Sequence, residues 1–181
     1  MNLPNKLTIG RVCMIPLFVL ALEGVRFGWY ELPTARIIAV AVFALAAFTD
    51  FLDGYIARKR NLITDFGKFM DPLADKILVM SAMVYMVFLG DISPWVLIIV
   101  EGREFVIAGL RMLAAQKNIV IAANFWGKLK TITQMTMILV VLLDFDHALL
   151  YCSGVLLIYS CVALSIISGI DYIWRNRKVF S

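Results

Sequence analysis

The feature that most narrows the possible folds is the length of the apolar runs. Charge-poor segments occupy about residues 9 to 27, 35 to 57, 66 to 90, 93 to 116, 125 to 145 and 148 to 173. Each is near the ~20 residues that a helix rising 1.5 Å per residue needs to cross the hydrocarbon of a bilayer. Apolar residues make up 62% of the 181, against ~45–50% in an ordinary soluble domain, so a soluble globular enzyme is excluded. The segments and their connections use the whole length, and no repeat, linker or low-complexity tract divides it. The expected architecture is an all-α integral membrane protein with six transmembrane helices, a single domain over residues 1–181. Cys13, Cys152 and Cys161 all sit in apolar sequence and read as reduced packing residues, without a metal-ligand pattern.

The breaks are chemically marked. Pro33 and Thr34 precede the second segment, Gly90 and Asp91 close the third, and Ser93 and Pro94 open the fourth. The first segment carries Arg11 in its early turns and is followed by no small-residue cleavage site, so it reads as a retained helix and not a signal peptide. Lys6 and Arg11, then Arg58, Lys59 and Arg60, then Lys117, Lys128 and Lys130, then Arg175, Arg177 and Lys178 mark alternate ends of the segments. By the positive-inside rule both termini are cytoplasmic, as are the connections after the second and fourth segments. The net charge of +4 is therefore a topology signal and not a nucleic-acid footprint. Trp29, Tyr30, Trp95, Trp126, Tyr172 and Trp174 fall near segment ends, where an interfacial aromatic belt would place them. His147, the single histidine, falls in an outer connection beside Asp144 and Asp146 and reads as solvated.

The run from Asp50 to Lys76 puts acids where a bilayer penalises them. Each acidic side chain within a spanning helix costs at least ~2.5–3.5 kcal/mol on insertion scales, so four of them need a shared reason. Asp50, Asp53, Gly54, Ala57 and Arg58 recur at helical spacing along one stripe, and Gly67, Asp71 and Asp75 form a second stripe. The short connection from Lys59 to Thr64 makes the two helices antiparallel neighbours, so the four carboxylates converge. They would repel one another unless a cation neutralised them. Oxygen ligands without His or Cys select magnesium or manganese over zinc, and four aspartates are enough for two divalent ions that clamp a phosphate. Arg58 lies on the same stripe to neutralise phosphate charge, and Gly54 and Gly67 let a ligand come close to backbone. The competing readings are a structural salt-bridge network with Arg58, Lys68 and Lys76, and a proton or cation pathway. Neither calls for glycines interleaved with four acids on two stripes.

The pattern Asp50-x2-Asp53-Gly54-x2-Ala57-Arg58-x8-Gly67-x3-Asp71-x3-Asp75 resembles, without a departure, the signature of the CDP-alcohol phosphotransferases. The resemblance implies six spanning helices, a homodimer and two divalent cations, Mg2+ or Mn2+. It also implies transfer of a phosphatidyl group from CDP-diacylglycerol to an alcohol with release of CMP. It assigns metal binding to Asp50, Asp53, Asp71 and Asp75, with Asp75 also the catalytic base. It assigns the nucleotide and its phosphates to Asn5, Thr8, Gly54, Ala57, Arg58, Thr64 and Gly67.

The opening Asn2-Leu3-Pro4-Asn5-Lys6-Leu7-Thr8 with Arg11 and Pro16 is similar to that of the bacterial phosphatidylglycerophosphate synthase branch. So are Arg103-Glu104 with Gly109-Leu110-Arg111, and Gly127-Lys128-Leu129-Lys130-Thr131 with Gln134; Ser168-Gly169-Ile170-Asp171-Tyr172 is less diagnostic. That branch implies sn-glycerol 3-phosphate as acceptor and a bacterial cytoplasmic membrane, with the active site facing the cytoplasm. Arg103, Arg111, Lys128 and Lys130 are a cation cluster suited to an acceptor phosphate. The alternative is that Arg103 pairs with a carbonyl or acid and that the two lysines only mark the cytoplasmic side. Glu104, beside Arg103 in sequence, is expected to serve another face. Other acceptors, such as inositol phosphate, serine or phosphatidylglycerol, would use the same chemistry.

Overall fold

A computed structural model describes residues 3–60, 65–117, 119, 121, 124–143 and 148–177; for 3–7, 51–60, 65–69 and 71 it describes backbone only. The helices are α1 (Leu3–Glu23), α2 (Leu32–Arg60), α3 (Asp65–Leu89), α4 (Pro94–Gln116), α5 (Phe125–Leu143) and α6 (Ala148–Arg175). The described residues contain no strand. The apolar runs thus locate every helix, but α1 starts at Leu3 and not near residue 9. The polar opening run is helical because Pro4 is tolerated in a first helical turn and Leu3, Lys6 and Leu7 are good helix formers.

Among the described residues, four windows are long and apolar enough to cross a membrane: Leu32–Asp50, Pro72–Leu89, Phe125–Leu143 and Ala148–Arg175. The chain is a multi-pass membrane protein. Its exposed surface agrees: Trp95, Phe105 and Met112 on α4 and Leu149, Leu156, Tyr159 and Ile170 on α6 are all exposed. In water such faces would drive association, whereas against acyl chains they are at no disadvantage.

The chain divides into two compact units, residues Met1–Tyr85 with Leu142–Asp144, and Met86–Val141 with Phe145–Ser181. In the first, α1 packs on α2. Ala35, Ala39, Phe43 and Ala46 make one buried stripe of α2, and the alanines let a neighbouring backbone approach closely. Phe18 of α1 fills the space at Phe43, with ring centroids 6.2 Å apart, and meets Tyr85 of α3 edge-on at 6.4 Å. Tyr85 in turn donates its hydroxyl to Glu23 Oε1 at 2.8 Å, satisfying a polar tip at the end of α1. Ala74, Leu78 and Ala82 form the buried stripe of α3.

In the second unit α4 packs on α6. The buried stripe of α6 is Gly154, Cys161, Ser165, Ser168 and Tyr172, mostly small residues, and α4 contributes Val100, Glu101, Ile107, Leu110 and Ala114. The predicted break is confirmed: Gly90 has φ +84°, a left-handed value that suits glycine. Ser93 caps α4 by accepting from Trp95 N at 3.4 Å, with Pro94 in the first turn.

Three readings need correction. Tyr172 is no interfacial residue but 2% exposed, in a cluster with Ile107 and Leu110. Tyr30 folds back to donate its hydroxyl to the Ala21 carbonyl at 2.8 Å, capping α1. Of the three free cysteines only Cys161 is buried; Cys13 and Cys152 are exposed and fill no core position. Asp144, Asp146 and His147 lie outside the described residues.

Candidate functional site

The acid stripe begins where the small-residue stripe of α2 ends. Asp50 follows Ala46 by one turn, so the register that packs Ala35, Ala39 and Ala46 brings Asp50 to the same side of α2. From α1, Arg11 reaches it: Nη1 lies 2.7 Å from Asp50 Oδ1, with the guanidinium 1% exposed and the carboxylate 46% exposed. Thr8, one turn before Arg11, is also fully buried. Arg11 therefore does more than mark the cytoplasmic end; it is a core residue whose charge is answered by Asp50. Asp75 is half-buried, one residue after buried Ala74 on α3.

The backbone of α2 is helical through Arg60 and that of α3 from Asp65, so positions 53, 54, 57 and 58 stay on the stripe of Asp50, and positions 67 and 71 on that of Asp75. The side chains of Asn5, Asp53, Ala57, Arg58 and Asp71, and the surroundings of Gly54 and Gly67, lie outside the described residues, as does Thr64 altogether. Among the described residues no three ligating side chains cluster; Asp53 and Asp71 are not among them. The donor chemistry fits a hard divalent cation. Asp50 keeps nearly half of its surface open beyond the pairing with Arg11, and the acids are accompanied by no described His or Cys on either helix face.

The second constellation lies on α4, α5 and α6. Arg103 donates from Nη1 to Glu104 Oε1 at 2.8 Å and from Nε to Ser168 Oγ at 3.1 Å. Lys130 Nζ donates to the same Glu104 oxygen at 2.7 Å and to Gln134 Oε1 at 2.8 Å. Gln134 Nε2 completes the chain by donating to Glu101 Oε1 at 3.2 Å. Every member is wholly or largely buried, so each charge is answered by a partner and not by water. Arg111 donates from Nε to the Tyr172 hydroxyl at 3.0 Å and stacks over that ring at 5.7 Å. Lys128 is exposed.

The turn before α5 shapes this cluster. Asn124 caps the helix by accepting from Gly127 N at 2.8 Å and donates from Nδ2 to Asp171 Oδ2 at 2.7 Å. A Cβ on Gly127 would stand 2.8 Å from Asn124 Oδ1 and 3.2 Å from Arg103 Nη2, so glycine is what lets the guanidinium pass. Arg103 also lines an open groove of about 250 Å3 between α4 and α6, walled by Ile99, Val106, Ile166 and Ile170.

The structure thus joins Arg103 and Lys130 in one network and Arg111 to its edge through Tyr172 of the same helix that carries Ser168. The expectation that Glu104 serves a different face is overturned: its carboxylate is the shared partner, because a long Glu side chain one position on, about 100° around the helix, still reaches both cations. Ser168, Tyr172, Asn124 and Asp171 were not singled out as functional. The available signals were the less diagnostic run Ser168-Gly169-Ile170-Asp171-Tyr172, and Ser165, Ser168 and Tyr172 recurring at helical spacing in an otherwise apolar helix.

The sequence profile of the CDP-alcohol phosphatidyltransferase family matches residues 1–167. The chain belongs to that family. Among curated family members it is 38% identical to a Bacillus subtilis protein named CDP-diacylglycerol–glycerol-3-phosphate 3-phosphatidyltransferase, over 97% of this chain and 95% of the relative. It is also 38% identical to a probable phosphatidylglycerophosphate synthase of Mycobacterium tuberculosis, over 98% and 82%. A rice cardiolipin synthase (CMP-forming) shares 38% over 97% of this chain but only 58% of its own length. The family match spans the acid stripe and Arg103, Glu104, Arg111, Lys130 and Gln134, and ends one residue before Ser168.

Proposed function

We propose that the chain transfers the phosphatidyl group of CDP-diacylglycerol to sn-glycerol 3-phosphate, giving phosphatidylglycerophosphate and CMP in phospholipid biosynthesis. The observation that carries this reading is near-full-length identity of 38% to the Bacillus subtilis enzyme of that name. The cations of α4 and α5 support it, since a phosphorylated acceptor needs positive charge that serine or a neutral polyol would not.

In this reading all six helices cross a bacterial plasma membrane, with both termini and the active site on the cytoplasmic side, and the chain works as a homodimer. The alternation of basic ends supports the orientation. The charges of α4 are answered by α5 and α6, and Arg11 by Asp50, which removes much of the cost of spanning.

Asp50, Asp53, Asp71 and Asp75 would hold two divalent cations, magnesium or manganese, which when bound stabilise charge on the transferring phosphoryl group and on departing CMP. Asn5, Thr8, Gly54, Ala57, Arg58, Thr64 and Gly67 bind the nucleotide and its phosphates. Asp75 accepts the proton of the glycerol 3-phosphate 1-hydroxyl as that oxygen bonds to the lipid-linked phosphorus; the bond from that phosphorus to the CMP oxygen breaks. Arg103 and Arg111 hold the acceptor phosphate, with Lys128 and Lys130 adding positive charge. The rice relative favours one second reading, the same chemistry with phosphatidylglycerol as acceptor.

The deciding experiment is CMP release by the purified protein from CDP-diacylglycerol with magnesium, offering glycerol 3-phosphate, serine, myo-inositol phosphate or phosphatidylglycerol. Release with glycerol 3-phosphate alone, abolished by chelator, is the expected result. Release with phosphatidylglycerol would establish the second reading, and no release with any acceptor would return a transporter to consideration.

A further inference from the structure

We propose that Glu104 is a positioning residue for the acceptor-phosphate site, and that Lys130 acts through Glu104 and Arg103 without touching the phosphate. The inference rests on the acceptor reading above and divides labour among its cations.

Lys130 is 1% exposed, and two of its three N–H donors are committed, to Glu104 and to Gln134. Glu101 and Glu104 stand one turn apart on α4, and Lys130 and Gln134 one turn apart on α5. The bonds from Gln134 to Glu101 and from Lys130 to Glu104 close a buried square that fastens the two helices. One corner of that square, Glu104 Oε1, also receives Arg103 Nη1. Ser168 receives Nε from the other side. Two of the three guanidinium nitrogens are therefore fixed by the protein, and the third, Nη2, lies at the glycine that opens the first turn of α5. A guanidinium held this way presents one edge to an anion without first losing side-chain freedom. Glu104 also keeps two neighbouring cations from repelling each other in a dry interior.

The test measures KM for glycerol 3-phosphate and for CDP-diacylglycerol in reconstituted full-length protein carrying Glu104→Gln, Lys130→Met or both. Glu104→Gln is expected to raise the glycerol 3-phosphate KM at least tenfold, with kcat within threefold and the CDP-diacylglycerol KM unchanged. The double variant should be no worse than Glu104→Gln, because residues acting through one another are not additive. The double variant removes Lys130 together with its carboxylate and leaves Arg103 as the one cation that has lost Glu104, so it carries the test if Glu104→Gln alone, which strands two cations, fails to fold, as thermal unfolding would reveal. An unchanged or lower KM in Glu104→Gln would show that the carboxylate only dilutes positive charge, and the proposal fails. Effects that multiply in the double variant would place Lys130 on the phosphate and overturn it equally. Wild-type protein that cannot use glycerol 3-phosphate overturns the acceptor reading itself, a separate and recognisable result.

Discussion

Arg11 and Asp50 form an ion pair whose halves are buried to very different depths, Nη1 to Oδ1 at 2.7 Å with the guanidinium 1% and the carboxylate 46% exposed. The asymmetry predicts which partner matters more for stability. Asp50→Asn takes the carboxylate 2.7 Å from Nη1 away from a buried guanidinium, a loss on the order of 3 kcal/mol. Arg11→Met leaves a half-exposed carboxylate that water can solvate, at about 1 kcal/mol or less once solvent screening is allowed for. Thermal unfolding in detergent with chelator present should rank Asp50→Asn as the less stable. The reverse ranking would mean that Asp50 is repelled by its acidic neighbours more than it is held by Arg11.

Tyr172→Phe removes the hydroxyl that orients Arg111 and keeps the ring beneath it. One hydrogen bond to a charged group is worth about 1.5–3 kcal/mol, of which the retained stacking keeps part. The expected outcome is a three- to tenfold rise in the glycerol 3-phosphate KM, with the CDP-diacylglycerol KM unchanged. CMP release at varied acceptor concentration checks it, and equal changes in both KM values would mean that the packing of α6 had failed instead.

At Gly127 an added methyl meets Asn124 Oδ1 and Arg103 Nη2. Gly127→Ala should displace the Asn124 cap, a loss of ~1 kcal/mol, and swing Arg103 from its position. A fall in unfolding temperature together with at least a tenfold loss in kcat/KM for the acceptor is expected. Normal acceptor kinetics would show that Arg103 does not need this clearance.

Asp75→Asn keeps the shape of the side chain and removes its capacity to take a proton. Turnover should be abolished, to below about a thousandth of wild type if a general base is lost together with charge, while CDP-diacylglycerol binding is retained. Loss of nucleotide binding by folded protein would make Asp75 chiefly a metal ligand.

Removal of divalent cations should stop CMP release, and added Mg2+ or Mn2+ should restore it. A cation that binds only the folded protein stabilises it by mass action, so the unfolding temperature should climb with magnesium and stop climbing in Asp53→Asn. A magnesium-independent unfolding temperature in wild-type protein would remove the two-cation site.

The helices and the acid stripe were legible because each depends on periodicity along one segment. Apolar runs located α1 to α6, and the Gly90, Ser93 and Pro94 break was read from residues whose backbone preferences are local. The stripe of Asp50 followed from its spacing, and it proves to be the continuation of the buried alanine face of α2. Arg11 was misread as a topology marker because a basic residue near a helix end looks the same whether it faces water or a carboxylate on the next helix. Tyr172 was misread as interfacial for the same reason: an aromatic within one turn of a helix end has no local feature that distinguishes the belt from the core.

By itself, then, the sequence determined which stretches form long apolar helices, which acids share a helix face and which family signature they spell, since all of these are short-range relations along the chain. Only the tertiary structure decided which charge answers which. Arg103 meets Ser168 across 65 residues and Arg111 meets Tyr172 across 61. Burial makes an unanswered charge costly, but it leaves the choice among several eligible partners to the packing of whole helices against one another.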